Sequence, residues 1–414
     1  MNLTVLTPHF HPDVAPTGAV ATRIVEELAH RSHDIEVITS LPWYRAHRVE
    51  PGFEGRLVRY EDTPWGRIIR INPFPTSDKR NIVRRAASYG LFSLIVAGLG
   101  TRPARTAGRS RRRRVDGVLA MSPPLTLGVS GWAIARAKNA PFVFNVQDVF
   151  PDVAVELGVL KDRRVVAAAR RLERFCYERA DAVTVLSEDL KNNVAAKTSA
   201  SDKVRVIPNF VDTATIAPQD RGNAYRQEFG LHDRTVVMYA GNVGLSQSLG
   251  LLVEAAAALA YESDLVFVVN GSGAALPDLI RKAGGLNNIR FIEMQPADRL
   301  PEVLAAADIH VVPLKRGLAR SSVPSKMYSI LAAARPLIAS VDEGSEVARV
   351  VERSGGGIAV PPEDAEAFTK AIKRLLDAPE EARRMGQAGR AWVEQWASPA
   401  AVAAAYEDLF TSLA

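Results

Sequence analysis

Short aliphatic runs recur along this chain with helix-length segments between many of them, and the series occurs twice. In the first half the runs are Leu3 to Thr7, Ile35 to Thr39, Val115 to Ala120, Phe142 to Val146 and Ala182 to Leu186. Helical patterns lie at 19–31, 82–98, 126–138 and 164–179. Apolar runs this short are strands rather than helices, and strand alternating with helix is the βαβ rhythm of a parallel sheet. The rhythm breaks from Val206 through the polar stretch to Arg221, which predicts a linker between domains. It restarts at Thr235 to Tyr239 and continues at Leu265 to Val269, Ile289 to Ile292, Ile309 to Val312, Pro336 to Ala339 and Gly357 to Val360. Two Ala-, Glu- and Arg-rich helices, 379–396 and 399–412, close the chain. The expected fold is α/β: two doubly wound, Rossmann-like domains facing each other across a cleft, divided at 207/208. The length of 414 residues, more than one core usually covers, agrees with two domains.

Charge is shared unevenly. Residues 1–200 carry 30 Lys and Arg against 20 Asp and Glu, a net of +10, and residues 201–414 carry 22 against 26, a net of −4. The first half is therefore the one expected to meet an anionic partner. A single cysteine, Cys176, excludes an internal disulfide and a cysteine zinc site, which fits a reducing compartment. The first residues read as an opening strand, with no secretory leader.

Several strand ends carry chemistry. Val311-Val312-Pro313-Leu314 ends a strand, Pro324 opens a helix, and Ser325 and Lys326 stand in its first turn. Free backbone N–H groups beside a lysine suit a phosphate. Pro16-Thr17-Gly18-Ala19 after the first strand lets backbone approach a phosphate or sugar closely, though an ordinary βα turn shows the same signal. Gly241 and Gly244, in Tyr239-Ala240-Gly241-Asn242-Val243-Gly244, and Gly271, in Asn270-Gly271-Ser272-Gly273, also follow strands. Gln147 and Asp148 end a buried strand, where ligands of parallel sheets gather; Asp148 could equally cap a helix. His9 and His11 lack a carboxylate cluster and argue weakly for metal, and no Asp-x-Asp triplet offers a metal bridge to a diphosphate. Residues 86–100 are uncharged and are followed by seven arginines from Arg102 to Arg114, including Arg111, Arg112, Arg113 and Arg114. An apolar helix beside a basic cluster suits an anionic membrane surface, and a core helix with a solvated basic loop is the alternative. No aromatics interleave with these arginines, so nucleic acid is not expected as a partner.

The Pro324 helix, the glycine turns and Gln147-Asp148 resemble the matching segments of family 4 retaining glycosyltransferases with the GT-B fold, and the resemblance extends over nearly the whole chain. A closer similarity is to fucosyl and acetylfucosaminyl transferases of colanic acid and O-antigen pathways. It is carried by Phe150-Pro151-Asp152 with Leu157-Gly158-Val159-Leu160, and by Ser122-Pro123-Pro124-Leu125 after Val115-Asp116-Gly117-Val118.

The resemblance implies transfer of a sugar from a nucleoside diphosphate sugar, with retention, to an acceptor hydroxyl such as that of a polyprenyl-linked glycan. It implies no cofactor and no metal, and a cytoplasmic enzyme peripheral to the membrane's inner face. It places the acceptor on residues 1–207, with 398–414 packing back on them, and the donor on 208–397. Gly18 would lie beneath the diphosphate. Gly241, Asn242, Gly244, Gln247 and Gly271 would line the donor, and backbone near Gln295 would grip the base. The family often has Arg and Lys where this chain has Asn242 and Gln247, so the cation would come from Lys326, with Lys315, Arg316 or Arg320 on the preceding loop, and Ser325 would serve the diphosphate beside it. The family's paired glutamates are replaced by Ser321 and Ser329, leaving Glu343 and Glu346 as the nearest acids, although surface helix caps would look the same. Asp148, Gln147 and Lys326 are the expected catalytic residues, Gln147 standing where many relatives have histidine. Two other readings share the fold: a nucleotide-sugar 2-epimerase and a non-catalytic sugar-nucleotide-binding subunit.

Overall fold

A computed structural model gives the fold. It describes every residue except 14, 46–47, 75–81, 103–113, 157–159, 245 and 318–325, and leaves the side chains of 82–86, 153 and 156 undescribed. The chain divides into two compact units, Met1–Asn209 with Val402–Ala414, and Phe210–Ala401.

The first unit is built on β1 (Asn2–Leu6), β2 (Asp34–Ser40), β3 (Val58–Thr63), β4 (Gly66–Ile71), β5 (Gly117–Ser122), β6 (Phe142–Val146), β7 (Ala182–Val185) and β8 (Val204–Val206). They form one sheet in the order β3-β4-β2-β1-β5-β6-β7-β8. All neighbours are parallel except β3 and β4. The β3–β4 hairpin is absent from the sequence expectation, because its side chains break the apolar run: Asp62 sits opposite Arg67 and bonds to it at 2.9 Å. Such charge on an edge strand discourages pairing with other chains. By contrast β5, β6 and β7 are buried throughout, as strands covered on both faces must be.

The helices of this unit are α1 (Pro16–His30), α2 (Ile82–Gly100), α3 (Thr126–Lys138), α4 (Asp152–Glu156), α5 (Arg163–Arg179) and α6 (Glu188–Ala195). α3 packs on β5 and β6 and touches both α2 and α5. Phe92, Val96, Ile134, Phe142, Phe144 and Tyr177 make the core beneath them. Cys176 is buried there, and burial pushes its thiol up to about 12, so it is a packing residue.

The second unit holds β9 (Thr235–Ala240), β10 (Leu265–Asn270), β11 (Ile289–Ile292), β12 (Ile309–Pro313), β13 (Leu337–Ser340) and β14 (Gly357–Val360). Its sheet runs β11-β10-β9-β12-β13-β14, parallel throughout. Its helices are α7 (Ala224–Glu228), α8 (Gly250–Ala258), α9 (Leu276–Lys282), α10 (Leu300–Ala305), α11 (Lys326–Ala332), α12 (Glu346–Ser354), α13 (Ala365–Asp377) and α14 (Pro379–Trp396). Arg226 of α7 is fully buried and is satisfied by the carbonyl of Ala306 at 2.8 Å, that of Arg234 at 2.9 Å and the carboxylate of Asp308 at 2.5 Å.

The last helix, α15 (Pro399–Leu413), brings its residues from Val402 onward into the first unit. Tyr406 and Phe410 are buried, and the Phe410 ring fills the space where a side chain at Gly117 would stand. Among the described residues no helix is long and apolar enough to cross a membrane.

Candidate functional site

A doubly wound sheet gathers ligands where its strand order reverses, outside the carboxyl ends of the strands on either side. In the second unit that point lies between β9 and β12. The chain leaves β9 through Gly241, whose φ of +133° only glycine adopts without strain. The next loop, after β10, packs backbone against backbone: a side chain on Gly271 would begin 2.0 Å from the Gly241 carbonyl oxygen. The Val243 N–H donates to Ser272 O at 2.8 Å, and its carbonyl accepts from Ala275 N at 3.0 Å. The two glycine loops thus form one cradle, with Gly271 required by the close approach.

Lys326, the first residue of α11, points its ammonium into this cradle. Its Nζ donates to Tyr239 Oη at 2.7 Å, lies 4.2 Å from the Tyr239 ring centroid, and would meet a Cβ on Gly241 at 3.0 Å. Tyr239 Oη in turn donates to Asn242 O. Among the described residues no carboxylate pairs with Lys326, and burial lowers its pKa to about 8. The site therefore holds a cation that lacks a counterion among the described residues, with donors left for an incoming anion.

The other expected donor residues divide. Gln247 is used internally: Oε1 accepts from Gly244 N at 2.9 Å and Nε2 donates to Ser246 Oγ at 2.9 Å, so it shapes the loop. Gln295 is held by Arg299, which donates to its Oε1 at 2.7 Å, while its own amide donates to Glu293 O at 3.0 Å. Glu346 is not a surface cap; Ser345 caps α12, and Glu346 is buried with Arg349 at 2.9 Å. Glu343 is exposed. Lys315 and Arg316 are exposed on the loop after β12. Ser321, Arg320 and Ser325 lie outside the described residues, as do Arg111, Arg112 and Arg113; Arg114 is exposed.

In the first unit the order reverses between β1 and β5. Gly18 does not precede α1 as expected but lies in its first turn, where a Cβ would stand 2.9 Å from His9 Cβ. His9 has a carboxylate after all: its Nδ1 is 2.7 Å from Asp13 Oδ2, and its ring stacks on Trp43. Among the described residues no cluster of three or more His, Cys, Asp or Glu could hold a metal.

At the end of β6, Gln147 is buried and donates to Asn145 Oδ1 at 2.7 Å. Asn145 donates to Tyr406 Oη at 2.8 Å and to Thr184 Oγ1 at 3.1 Å. Sequence reading missed Tyr406 because its partners lie more than 200 residues away; its only signal was an apolar-faced closing helix. Asp148 caps no helix: it is exposed and unpartnered among the described residues, although the protein packed around it raises its carboxyl above the ordinary range.

Residues 17–209 match the model of the glycosyl transferase 4-like domain, and residues 234–378 match that of glycosyl transferases group 1. The chain belongs to this family of glycosyltransferases, and the two doubly wound units are its GT-B fold. It is 27% identical over 389 residues, 91% of this chain and 92% of the relative, to an Escherichia coli (strain K12) protein named as a colanic acid biosynthesis glycosyl transferase, WcaI. It is 29% identical to WbjE of Pseudomonas aeruginosa, named as a glycosyltransferase, over 73% of this chain and 75% of that one. Among solved structures, sucrose-phosphate synthase from Thermosynechococcus elongatus superposes with a TM-score of 0.69 at 19% identity, covering 100% of this chain and 99% of that one. Anabaena HepE in complex with UDP gives 0.65 at 14%, covering 100% of both.

Proposed function

We propose that this glycosyltransferase takes its sugar from a nucleoside diphosphate sugar whose diphosphate lies on the Gly241–Gly271 cradle against Lys326. The observation that carries the proposal is the half-buried ammonium of Lys326, held by Tyr239 and paired with no described carboxylate. The diphosphate is already anionic in the bound donor and gains a further negative charge as the glycosidic bond to it breaks, so a cation fixed beside it stabilises the departing group more than the bound donor. The protein's part is orientation and charge stabilisation, with retention at the anomeric carbon; Asp148 and Gln147 are the candidates of the first unit for hydrogen bonds to sugar hydroxyls. Lys326 and the backbone N–H groups of the cradle would offset part of the diphosphate's charge without a divalent ion. The acceptor is a lipid-linked glycan of cell-surface polysaccharide assembly, reached at the inner face of the plasma membrane. The name of WcaI, which refers to colanic acid biosynthesis, and the net charge of +10 on residues 1–200 support that reading.

The test is a thermal-shift panel of nucleoside diphosphates and their sugars, followed by turnover of the stabilising donor in excess chelator. A ligand at 100 times its Kd stabilises by about 2.7 kcal/mol. Lys326→Ala is expected to lower turnover on the order of 10²-fold. Unchanged kinetics in this variant, or turnover restored only by a divalent ion, would overturn the assignment.

A further inference from the structure

Helix α5 carries an unusual set of cations. Arg163, Arg170, Arg171 and Arg174 lie on one face of it, at spacings that bring successive turns into line, and Lys161 stands just before it. All five are exposed, and none makes a hydrogen bond or ion pair with a described residue. Some arginines on other helices are paired, Arg374 with Glu381 at 2.5 Å, Arg383 with Glu380 at 3.0 Å and Arg390 with Glu394 at 2.7 Å, whereas α5 gathers four without such a partner on one face. The described carboxylates near α5 are bonded elsewhere, and Asp152 feels Arg170 only at longer range. Asp152 and Glu173 are both taken by Lys197, at 2.6 and 2.9 Å, and Glu178 does not pair with Arg174 one turn before it.

The same five cations line an open hollow of about 740 Å³ between α4 and α5. Among the described residues its remaining wall is apolar, with Val155, Leu160, Val166 and Ala167 and no acidic one. α3 touches both α5 and α2, and α2 exposes Leu91 at 45% and Leu94 at 71%. One side of this unit therefore combines cations that no described residue pairs with and exposed aliphatic side chains, the combination that a bilayer with anionic headgroups accommodates.

We propose that the outer face of α5, with the hollow against α4, is a docking surface for an anionic lipid bilayer. It is a different stretch of chain from the arginines at 111–114. It rests on the transferase reading above only for its purpose, because no described residue pairs with these cations whatever the reaction. Like charges held together on one rigid helix repel one another until an anionic surface approaches, so the helix favours a charged membrane over a neutral one. A nucleic acid would meet the arginines without exposed aromatic rings to stack on, since Trp132 and Phe175 already pack under Arg179.

The experiment is cosedimentation of the full chain with phosphatidylcholine vesicles made with and without phosphatidylglycerol. Wild type is expected to bind the anionic vesicles selectively and to be released in part by salt. With about a fivefold contribution from each arginine, the triple variant Arg170→Ser, Arg171→Ser, Arg174→Ser should bind roughly 10²-fold more weakly. Replacing the same three by Lys should retain binding. Removing three exposed arginines of the second unit instead, Arg353, Arg383 and Arg384 to Ser, should leave binding as in wild type. The proposal falls if both serine triples lose binding equally, if the α5 triple binds like wild type, or if wild type ignores phosphatidylglycerol. It also falls if a labelled oligonucleotide, rather than the vesicles, is what distinguishes the α5 triple from wild type. Nucleoside diphosphate stabilisation, measured on the same proteins, should be equal in all; its absence from wild type would count against the donor site and leave the docking surface standing.

Discussion

Lys326 is a residue whose charge the fold makes conditional. Burial holds its pKa near 8 in the free protein, and a diphosphate beside it would favour the ammonium, so donor binding above that pH must draw in a proton. Donor affinity should accordingly fall as pH rises through 8, and calorimetry in buffers of different ionisation enthalpy should show proton uptake that Lys326→Met abolishes. Stability moves the other way. The unfolded lysine keeps its proton up to about 10.4 while the folded one releases it near 8, so between these values the unfolded chain binds more protons and folding gains with pH. Wild type should therefore gain on Lys326→Met across that window; a parallel course of the two denaturation midpoints would refute the assignment. His310 shows the contrasting case of a titratable group kept neutral for packing: burial lowers it to about 4, and its Nε2 meets Leu304 O at 2.9 Å.

At the scale of elements, much of the architecture was legible. Helices α3 and α14 and strands β6, β11 and β14 begin and end where the apolar pattern put them. What the pattern hid was either polar or local in its cause. The β3–β4 hairpin carries cross-strand charges, and Gly18 belongs to a helix because Pro16, not Gly18, opens it. The cradle was legible as two glycine turns, but its construction was not: that Gly271 exists for the Gly241 carbonyl, and that Gln247 closes the first loop, depends on a meeting of two strand ends. Asp308 carries no local signal of its role either: it anchors α7 through Arg226 and also accepts from Val236 N at 2.8 Å. Arg226→Leu, which strands that carboxylate and several carbonyls, should lower the stability of the second unit by about 3 to 5 kcal/mol. Urea unfolding followed by a probe confined to that unit would measure it, and a loss under about 1 kcal/mol would show that Arg221, 2.5 Å from Asp308, suffices alone.

For the whole molecule, the two trains of strands foretold two sheets, and the family match over 17–209 and 234–378 follows them. Long-range side-chain pairing is where sequence reading stopped, since no local period ties Tyr406 to Asn145 across 261 positions. That bond joins the closing helix to the end of β6, next to Gln147. Tyr406→Phe removes a hydroxyl bonded by Asn145 and near Thr184 Oγ1 at 3.3 Å, so the first unit should lose about 1 to 3 kcal/mol while the second keeps its midpoint. Equal shifts in both units would show that the network does not belong to the first unit alone. The return of α15 also sets an order of events during synthesis. A ribosome releases the first 209 residues early, yet the cavity filled by Tyr406 and Phe410 stays open until residues 402–414 emerge, after the whole second sheet has been made. The half translated first is thus the half finished last, and for that interval Gly117 and Asn145 face a nascent chain that has not yet supplied their partner.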